Sequence, residues 1–137
     1  MLHSSAARLL AANAEQNKEL IFNFYDLFYN QKKFDEAGQY LDQQVVSRHA
    51  GKVGRGRRSM IENFSRDVRE KFPNIRFEVS RMIASGDYVW THGLATGLPG
   101  GSEALCVDIW KIEDGKLIEH WGVRQPVEPG QDVAQLL

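Results

Sequence analysis

The chain has 137 residues, of which 42% are hydrophobic and 26% charged, a composition typical of one globular domain. Its formal net charge of −1 gives no indication of a nucleic-acid or membrane-surface partner, and no apolar run is long enough to span a membrane. Cys106 is the only cysteine, which excludes an internal disulfide and predicts a reducing, cytoplasmic setting.

Helical periodicity characterises the first half of the chain. Residues 1–13 are rich in alanine, and we interpret them as a flexible lead-in. Apolar side chains recur at helical spacing over Ala14–Tyr29, and a shorter helix is predicted over Phe34–Leu41. A third helix is predicted to begin near Ser59 and to end before Pro73.

Strand patterns follow these helices, apart from one short strand predicted earlier, over Gln44–His49. The basic run Lys52–Arg58 is expected to be a loop. Alternating apolar residues predict strands over Arg76–Ala84 and Tyr88–Thr96, and residues 128–137 form a tail. Helices first and antiparallel strands second is an α+β pattern, in which helices over a curved sheet leave a cavity for a small molecule.

The last two strands, on either side of Glu113-Asp114-Gly115, form a predicted hairpin that carries most of the candidate chemistry. A two-residue loop would place Asp108 opposite Trp121, whereas a three-residue loop with a glycine bulge would place Asp108 opposite His120. One residue of slip moves every side chain to the other face. We prefer the three-residue loop, because it separates a polar-aromatic face from an apolar one. The polar-aromatic face then comprises Cys106, Asp108, Trp110, His120, Gly122 and Arg124.

Asp108 and His120 are the central candidates for chemistry. Directly opposed residues have Cβ atoms about 5 Å apart, so the carboxylate could orient the imidazole and make His120 a general base or acid. The alternative is a structural ion pair that satisfies two half-buried polar groups. The histidines show no metal-ligand spacing, so we expect neither a metal nor another cofactor.

Further candidates lie on the neighbouring elements. Tyr25, Trp90 and Trp110 could stack on a flat ligand, although a single aromatic residue is more often plain core. His92 shares a strand face with Trp90 and is a candidate donor to a substrate carbonyl oxygen, with a packed core histidine as the alternative. Arg124 near the rim could bind a carboxylate or phenolate, unless it forms a surface ion pair.

Short motifs mark the two strands of the hairpin: Val107-Asp108-Ile109-Trp110, Asp114-Gly115-Lys116, Glu119-His120-Trp121 and Gln125-Pro126. Together they resemble the SnoaL-like branch of the NTF2-like superfamily. The resemblance implies an α+β cone, residues 14–127, with three N-terminal helices packed on a curved, mainly antiparallel sheet. It also implies a homodimer, for which the apolar outer face of the last two strands, with Trp121, is the expected interface.

The function implied by this resemblance is that of a cyclase, since the branch is named for polyketide cyclases that close a ring by an intramolecular aldol reaction. We expect a cofactor-independent cyclase, isomerase or lyase acting on a small hydrophobic carbonyl compound, polyketide- or terpenoid-like. Its catalytic residues would be Asp108, His120 and His92. Its substrate-binding residues would be Tyr25, His49, Trp90, Trp110, Gly122 and Arg124.

The sequence departs from the family pattern at its proposed base. The cyclase pattern has an aspartate after His-Trp, where this chain has Gly122, which would open space for a bulkier ligand. His49 stands one position away from the family's first-strand histidine. A non-catalytic ligand-binding or dimerisation module is therefore the alternative, and Gly122→Asp would be expected to create or enhance activity. A third hypothesis is epoxide hydrolysis by water activated by Asp108 with Arg81 or Arg124.

Overall fold

The computed structural model describes residues 4–137, in which helices cover one face of a six-stranded sheet. The chain starts with a long helix, α1 (Ser4–Tyr25), that continues into a π-helical turn (Asp26–Asn30). The other helices are α2 (Phe34–Gly38), α3 (Arg57–Glu70) and α4 (Val133–Leu136). The strands are β1 (Leu41–His49), β2 (Lys52–Arg55), β3 (Arg76–Ser85), β4 (Tyr88–Leu98), β5 (Ser102–Glu113) and β6 (Lys116–Pro126).

The sheet has the strand order β2-β1-β6-β5-β4-β3, in which β1 runs parallel to β6 and all other neighbours are antiparallel. Aromatic side chains from the first helical segment fill the space between the sheet and α3. Phe28 stacks on Phe64 of α3 with ring centroids 4.5 Å apart, and Phe24 meets Trp110 of β5 edge-on at 5.3 Å. The predicted α+β architecture of helices on a curved, mainly antiparallel sheet is confirmed.

The helical and loop predictions differ from the structure at several boundaries. Helix α1 begins at Ser4, so the described part of the predicted lead-in is helical, and residues 1–3 lie outside the described residues. Lys52–Arg55 is a strand rather than a loop, because it pairs with β1 across a turn at Ala50 and Gly51 whose φ angles are both positive. None of the helices within residues 4–137 is long and apolar enough to cross a membrane.

The hairpin between β5 and β6 has a two-residue turn, so the predicted three-residue loop is wrong. Asp114 and Gly115 have φ angles of 51° and 72°, and Glu113 pairs with Lys116. A bulge at Ile118 then shifts the register, so that Asp108 lies opposite Gly122 and not opposite His120. Because the bulge adds one residue, the alternation is restored, and the predicted set of side chains still shares one face.

Candidate active site

Two rows of side chains cross the centre of the sheet and face the helices. In the first row, His49 of β1 lies beside Gly122 of β6, which lies beside Asp108 of β5. In the second row, Ser47, His120 and Trp110 occupy the corresponding positions of the same three strands. Asp108 and His120 are therefore diagonal neighbours, still close enough for their side chains to meet.

Asp108 and His120 form a buried hydrogen-bonded pair, with only 6% and 4% of their surfaces exposed. His120 Nε2 lies 2.6 Å from Asp108 Oδ1, and His120 Nδ1 lies 2.8 Å from Ser47 Oγ. A carboxylate can only accept, so Nε2 donates to Asp108, and Nδ1 shares the second hydrogen bond with the Ser47 hydroxyl, which can donate or accept. Both nitrogens of His120 are thus occupied, whereas Asp108 Oδ2 accepts no hydrogen bond from any residue between 4 and 137.

The ring of His120 is held between two other rings. Trp110 stacks on it with centroids 4.1 Å apart, and the His49 ring lies nearly parallel at 6.1 Å. Burial lowers the pKa of His49 below its ordinary value of 6.5; Asp108 opposes this shift, and His120 and Arg124 add to it. His49 is therefore predominantly neutral at pH 7 and able to accept a proton.

Gly122 is the position that lets these groups come together. A Cβ atom built on Gly122 would overlap Nδ1 of His49 and would lie 2.8 Å from Oδ1 of Asp108 and 3.1 Å from Cε1 of His120. The space beside Gly122 is thus filled by the side chains of His49, Asp108 and His120. The expectation that Gly122 opens room for a larger ligand is wrong, because neighbouring strands bring His49 and Asp108 over it.

A cavity of about 450 Å³ lies between this part of the sheet and the helices. Its polar wall contains Ser47, His49, Asp108, His120 and Arg124. Its apolar wall is formed by Phe28, Tyr29, Met60, Phe64, Phe72, Ile75, Phe77, Ala95, Leu98, Pro99 and Cys106. Within residues 4–137, no three side chains of the kinds that bind metals come together. The cavity is suited to an apolar molecule with one or two polar groups.

Tyr29 is a cavity residue that sequence reasoning missed. It follows Tyr25 by four residues, one helical turn, which places both side chains on the same helical face. Burial raises the pKa of the Tyr29 hydroxyl well above 10, and the nearby Asp108 and Cys106 raise it further. Its hydroxyl has no hydrogen-bond partner in the described part of the chain and is free to donate to a ligand.

Tyr25 and Trp110 line the back of the site rather than the cavity. Trp110 Nε1 donates to the Tyr25 hydroxyl at 2.8 Å, and that hydroxyl lies 2.8 Å from Thr91 Oγ1. All three residues are buried, so they form a satisfied polar network in the core. Their predicted role in stacking on the ligand is wrong in this geometry, because both rings are buried in the core between helix α1 and the sheet and neither lines the cavity.

His92 and Trp90 lie on the outer face of the sheet, so the prediction that they line the cavity is wrong. The partner of Asp108 on β4 is Thr91, and side chains directly opposite one another share a face. His92 instead contacts Arg81 of β3, and Trp90 is 49% exposed. Arg81 is excluded from the cavity for the same reason, whereas Arg124 lines it as predicted.

Substitution of the two tyrosines should separate their roles in stability. Tyr25→Phe leaves Trp110 Nε1 and Thr91 Oγ1 without a partner, so the free energy of unfolding should fall by about 1–3 kcal/mol. Tyr29→Phe removes the corresponding hydroxyl oxygen without breaking a hydrogen bond within residues 4–137. It should change the free energy of unfolding by about 0.5 kcal/mol or less. Urea unfolding measures both, and equal losses in the two variants would contradict this assignment.

Comparisons with known proteins agree with this architecture. The family profile of the SnoaL-like domain matches residues 21–120, and the chain therefore belongs to the SnoaL-like domain family. No protein of curated function shows significant sequence similarity to it.

Several solved structures share the fold at low sequence identity. A proposed ketosteroid isomerase from Kribbella flavida is 18% identical over 91% of this chain and 90% of that one, with a TM-score of 0.72. A proposed SnoaL-like polyketide cyclase from Jannaschia sp. is 19% identical over 82% and 87%, also with a TM-score of 0.72. An LEH-like epoxide hydrolase from M. tuberculosis is 17% identical over 82% and 85%, with a TM-score of 0.70. At such identities the likeness is one of fold alone.

Proposed function

We propose that this domain catalyses cofactor-independent proton transfer on a small hydrophobic carbonyl compound, as a cyclase, isomerase or lyase. The observation that carries the proposal is the geometry of Asp108. One of its oxygens is fixed by His120, and the other accepts no hydrogen bond from the described residues at the wall of a largely apolar cavity. A carboxylate held in this way is a competent general base for a carbon acid.

The proposed proton path differs from the one expected from sequence. His120 uses both ring nitrogens in fixed hydrogen bonds, so it orients Asp108 and stabilises its charge instead of carrying the proton itself. Asp108 Oδ2 removes the proton next to the carbonyl, and the electron pair moves onto the carbonyl oxygen. The Tyr29 hydroxyl donates a hydrogen bond to that oxygen, the role expected of His92. Protonated Asp108 then returns the proton to a substrate carbon, or it passes the proton to neutral His49, which relays it at the other side of Gly122.

The test uses 2-tetralone, a bicyclic ketone with acidic protons beside its carbonyl group. In D₂O at pH 7, the protein should accelerate loss of these protons from the ¹H NMR spectrum beyond the buffer rate. Tyr29→Phe should slow this exchange by roughly 10²-fold, since it removes the proposed donor to the developing oxyanion. Binding of the ketone without any acceleration would instead favour the alternative of a non-catalytic ligand-binding module.

Epoxide hydrolysis has less support than enolisation. Among residues 4–137, Asp108 and Asp67 are the two acidic side chains that line the cavity, and Asp67 is paired with Lys71 at 3.3 Å. Arg81, one of the two arginines considered for that reaction, lies on the other face of the sheet. Arg124 alone remains in the cavity, without a second carboxylate to activate water beside Asp108.

We also propose that the chain forms a homodimer through the outer face of the sheet. That face exposes Ile83, Trp90 and Val123, and it contains one buried nitrogen, Arg48 Nη1, with no partner within residues 4–137. Light scattering at micromolar concentration should give about twice 15.6 kDa. Trp90→Lys should yield the monomer, whereas Leu9→Lys, a change at an exposed apolar residue of helix α1, should not. A wild-type monomer would refute the proposal.

A further inference from the structure

The mouth of the cavity carries two basic side chains that have no acidic partner among the residues that the structure describes. Three cationic residues line the cavity: Lys52 of β2, Lys71 at the end of α3, and Arg124 of β6. Lys71 is neutralised by Asp67 at 3.3 Å. Lys52 and Arg124 form no ion pair with any residue between 4 and 137, although Arg124 is a diagonal neighbour of Asp108.

The positions of Lys52 and Arg124 in the sheet bring them to the same end of the site. Lys52 lies directly opposite His49, on the strand beyond β1, and Arg124 lies two residues beyond Gly122 on the other side of β1. Adjacent strands are about 4.8 Å apart and two residues along a strand span about 7 Å, so the Cα atoms of these two residues are about 12 Å apart. Both side chains are long enough for their charged ends to meet a single group between them.

Two unpaired cations beside an apolar cavity create a positive potential at its entrance. Low-dielectric walls concentrate such a field, which attracts an anion and orients it as it enters. Guanidinium and ammonium groups are also the usual partners of a carboxylate, which can accept a paired hydrogen bond from an arginine. The interior contains the carboxylate of Asp108, so an anionic group is favoured at the mouth and disfavoured at the reacting end.

We propose that the natural ligand is a hydrophobic carboxylic acid, whose carboxylate lies between Lys52 and Arg124 while its apolar body fills the cavity. This inference rests on the proposed function, because it takes the reacting carbonyl to be at Asp108. Arg124 lies opposite Cys106, two residues from Asp108 along β5, which is about 7 Å. The ligand therefore carries its carboxylate on the order of 7 Å from the carbon that loses a proton, roughly the length of a fused bicyclic ring.

The experiment compares 2-naphthylacetic acid with 2-naphthylacetamide by isothermal titration calorimetry. The two compounds have nearly the same shape and differ in charge. The wild type should bind the acid at least about tenfold more tightly than the amide, and high salt should reduce this preference. The double variant K52Q/R124Q should bind both equally. K111Q, which makes one such change on the other face of the sheet, should keep the preference.

Several outcomes would overturn the inference. Equal binding of the acid and the amide by the wild type would do so, and so would a preference that persists in the double variant. Failure of both compounds to bind at millimolar concentration would do so as well. Proton exchange of 2-tetralone by the wild type is a separate readout, because this ketone is uncharged. If the protein exchanges 2-tetralone protons but shows no preference for the acid, the proposed function still holds, and only the proposal that the ligand carries a carboxylate is refuted.

Discussion

Asp108→Asn should lower the rate of 2-tetralone proton exchange by roughly 10²–10⁴-fold, the usual contribution of a positioned general base. The amide oxygen of asparagine can still accept the hydrogen bond from His120 Nε2, so the local structure is preserved. The amide cannot take a proton at neutral pH, and only that function is lost. The rate is measured by ¹H NMR at saturating and at low ketone concentration, which separates turnover from binding.

Asp67→Asn is the matched control for this substitution. Asp67 also lines the cavity, but it lies at the rim and pairs with Lys71. The variant has the same change in charge and shape, and its exchange rate should remain within about twofold of the wild type. If both asparagine variants retain full activity, Asp108 is only a structural partner of His120, which is the alternative of a structural ion pair stated in the sequence analysis.

Gly122→Ala should lower the exchange rate at least tenfold and the free energy of unfolding by about 1–3 kcal/mol. The added methyl group would overlap His49 Nδ1 and press on Asp108 Oδ1 at 2.8 Å. Either the histidine ring must turn away or the hydrogen bond from His120 to Asp108 must lengthen. The melting temperature, measured by calorimetry, should fall by about 3–10 °C.

Gly54→Ala provides the control, because it is also a strand glycine but a Cβ atom there would meet nothing within 4 Å. Its stability and exchange rate should match those of the wild type. An aspartate at position 122 is larger than alanine and would meet the same neighbouring atoms. Gly122→Asp should therefore reduce activity, contrary to the expectation from the family pattern that it would create or enhance it. A gain of activity in Gly122→Asp would show that the rows of side chains around Gly122 can separate at little cost.

The class of fold and the inward face of the final hairpin could be predicted from sequence because both depend on periodicity. Helical spacing of apolar residues and strand alternation set the order of elements, and the polar face containing Asp108 and His120 depends only on whether positions are odd or even. The register itself was not predictable. It depends on a bulge at Ile118, beside which Leu117 pairs with Leu41 of β1, a strand distant in sequence.

The choice of face for β4 was decided by the packing of the helices. By its sequence pattern, either face of β4 could be the buried one. The face with Trp90 and His92 has the larger aromatic side chains. In the folded chain, α1 brings its own aromatic residues over the sheet, so the strand beneath needs small residues. Thr91 therefore lies inside, bonded to Tyr25. Side chains from segments that are far apart in the sequence fill the same space between helices and sheet. A local sequence pattern therefore cannot show which side chains will fit there.

The family resemblance came from the short motifs of the last two strands, and alternation along each strand was sufficient to predict the architecture and a common face for Asp108 and His120. Only the tertiary structure decided that Ser47 and Tyr29 join them and that His49, a candidate from sequence, lies beside Gly122, since these residues come from β1 and from the helical segment. It also decided that Gly122 is required by close approach. The sequence shows that position 122 is a glycine but not which residues surround it. Only the assembled strands show that His49 and Asp108 occupy the space beside Gly122.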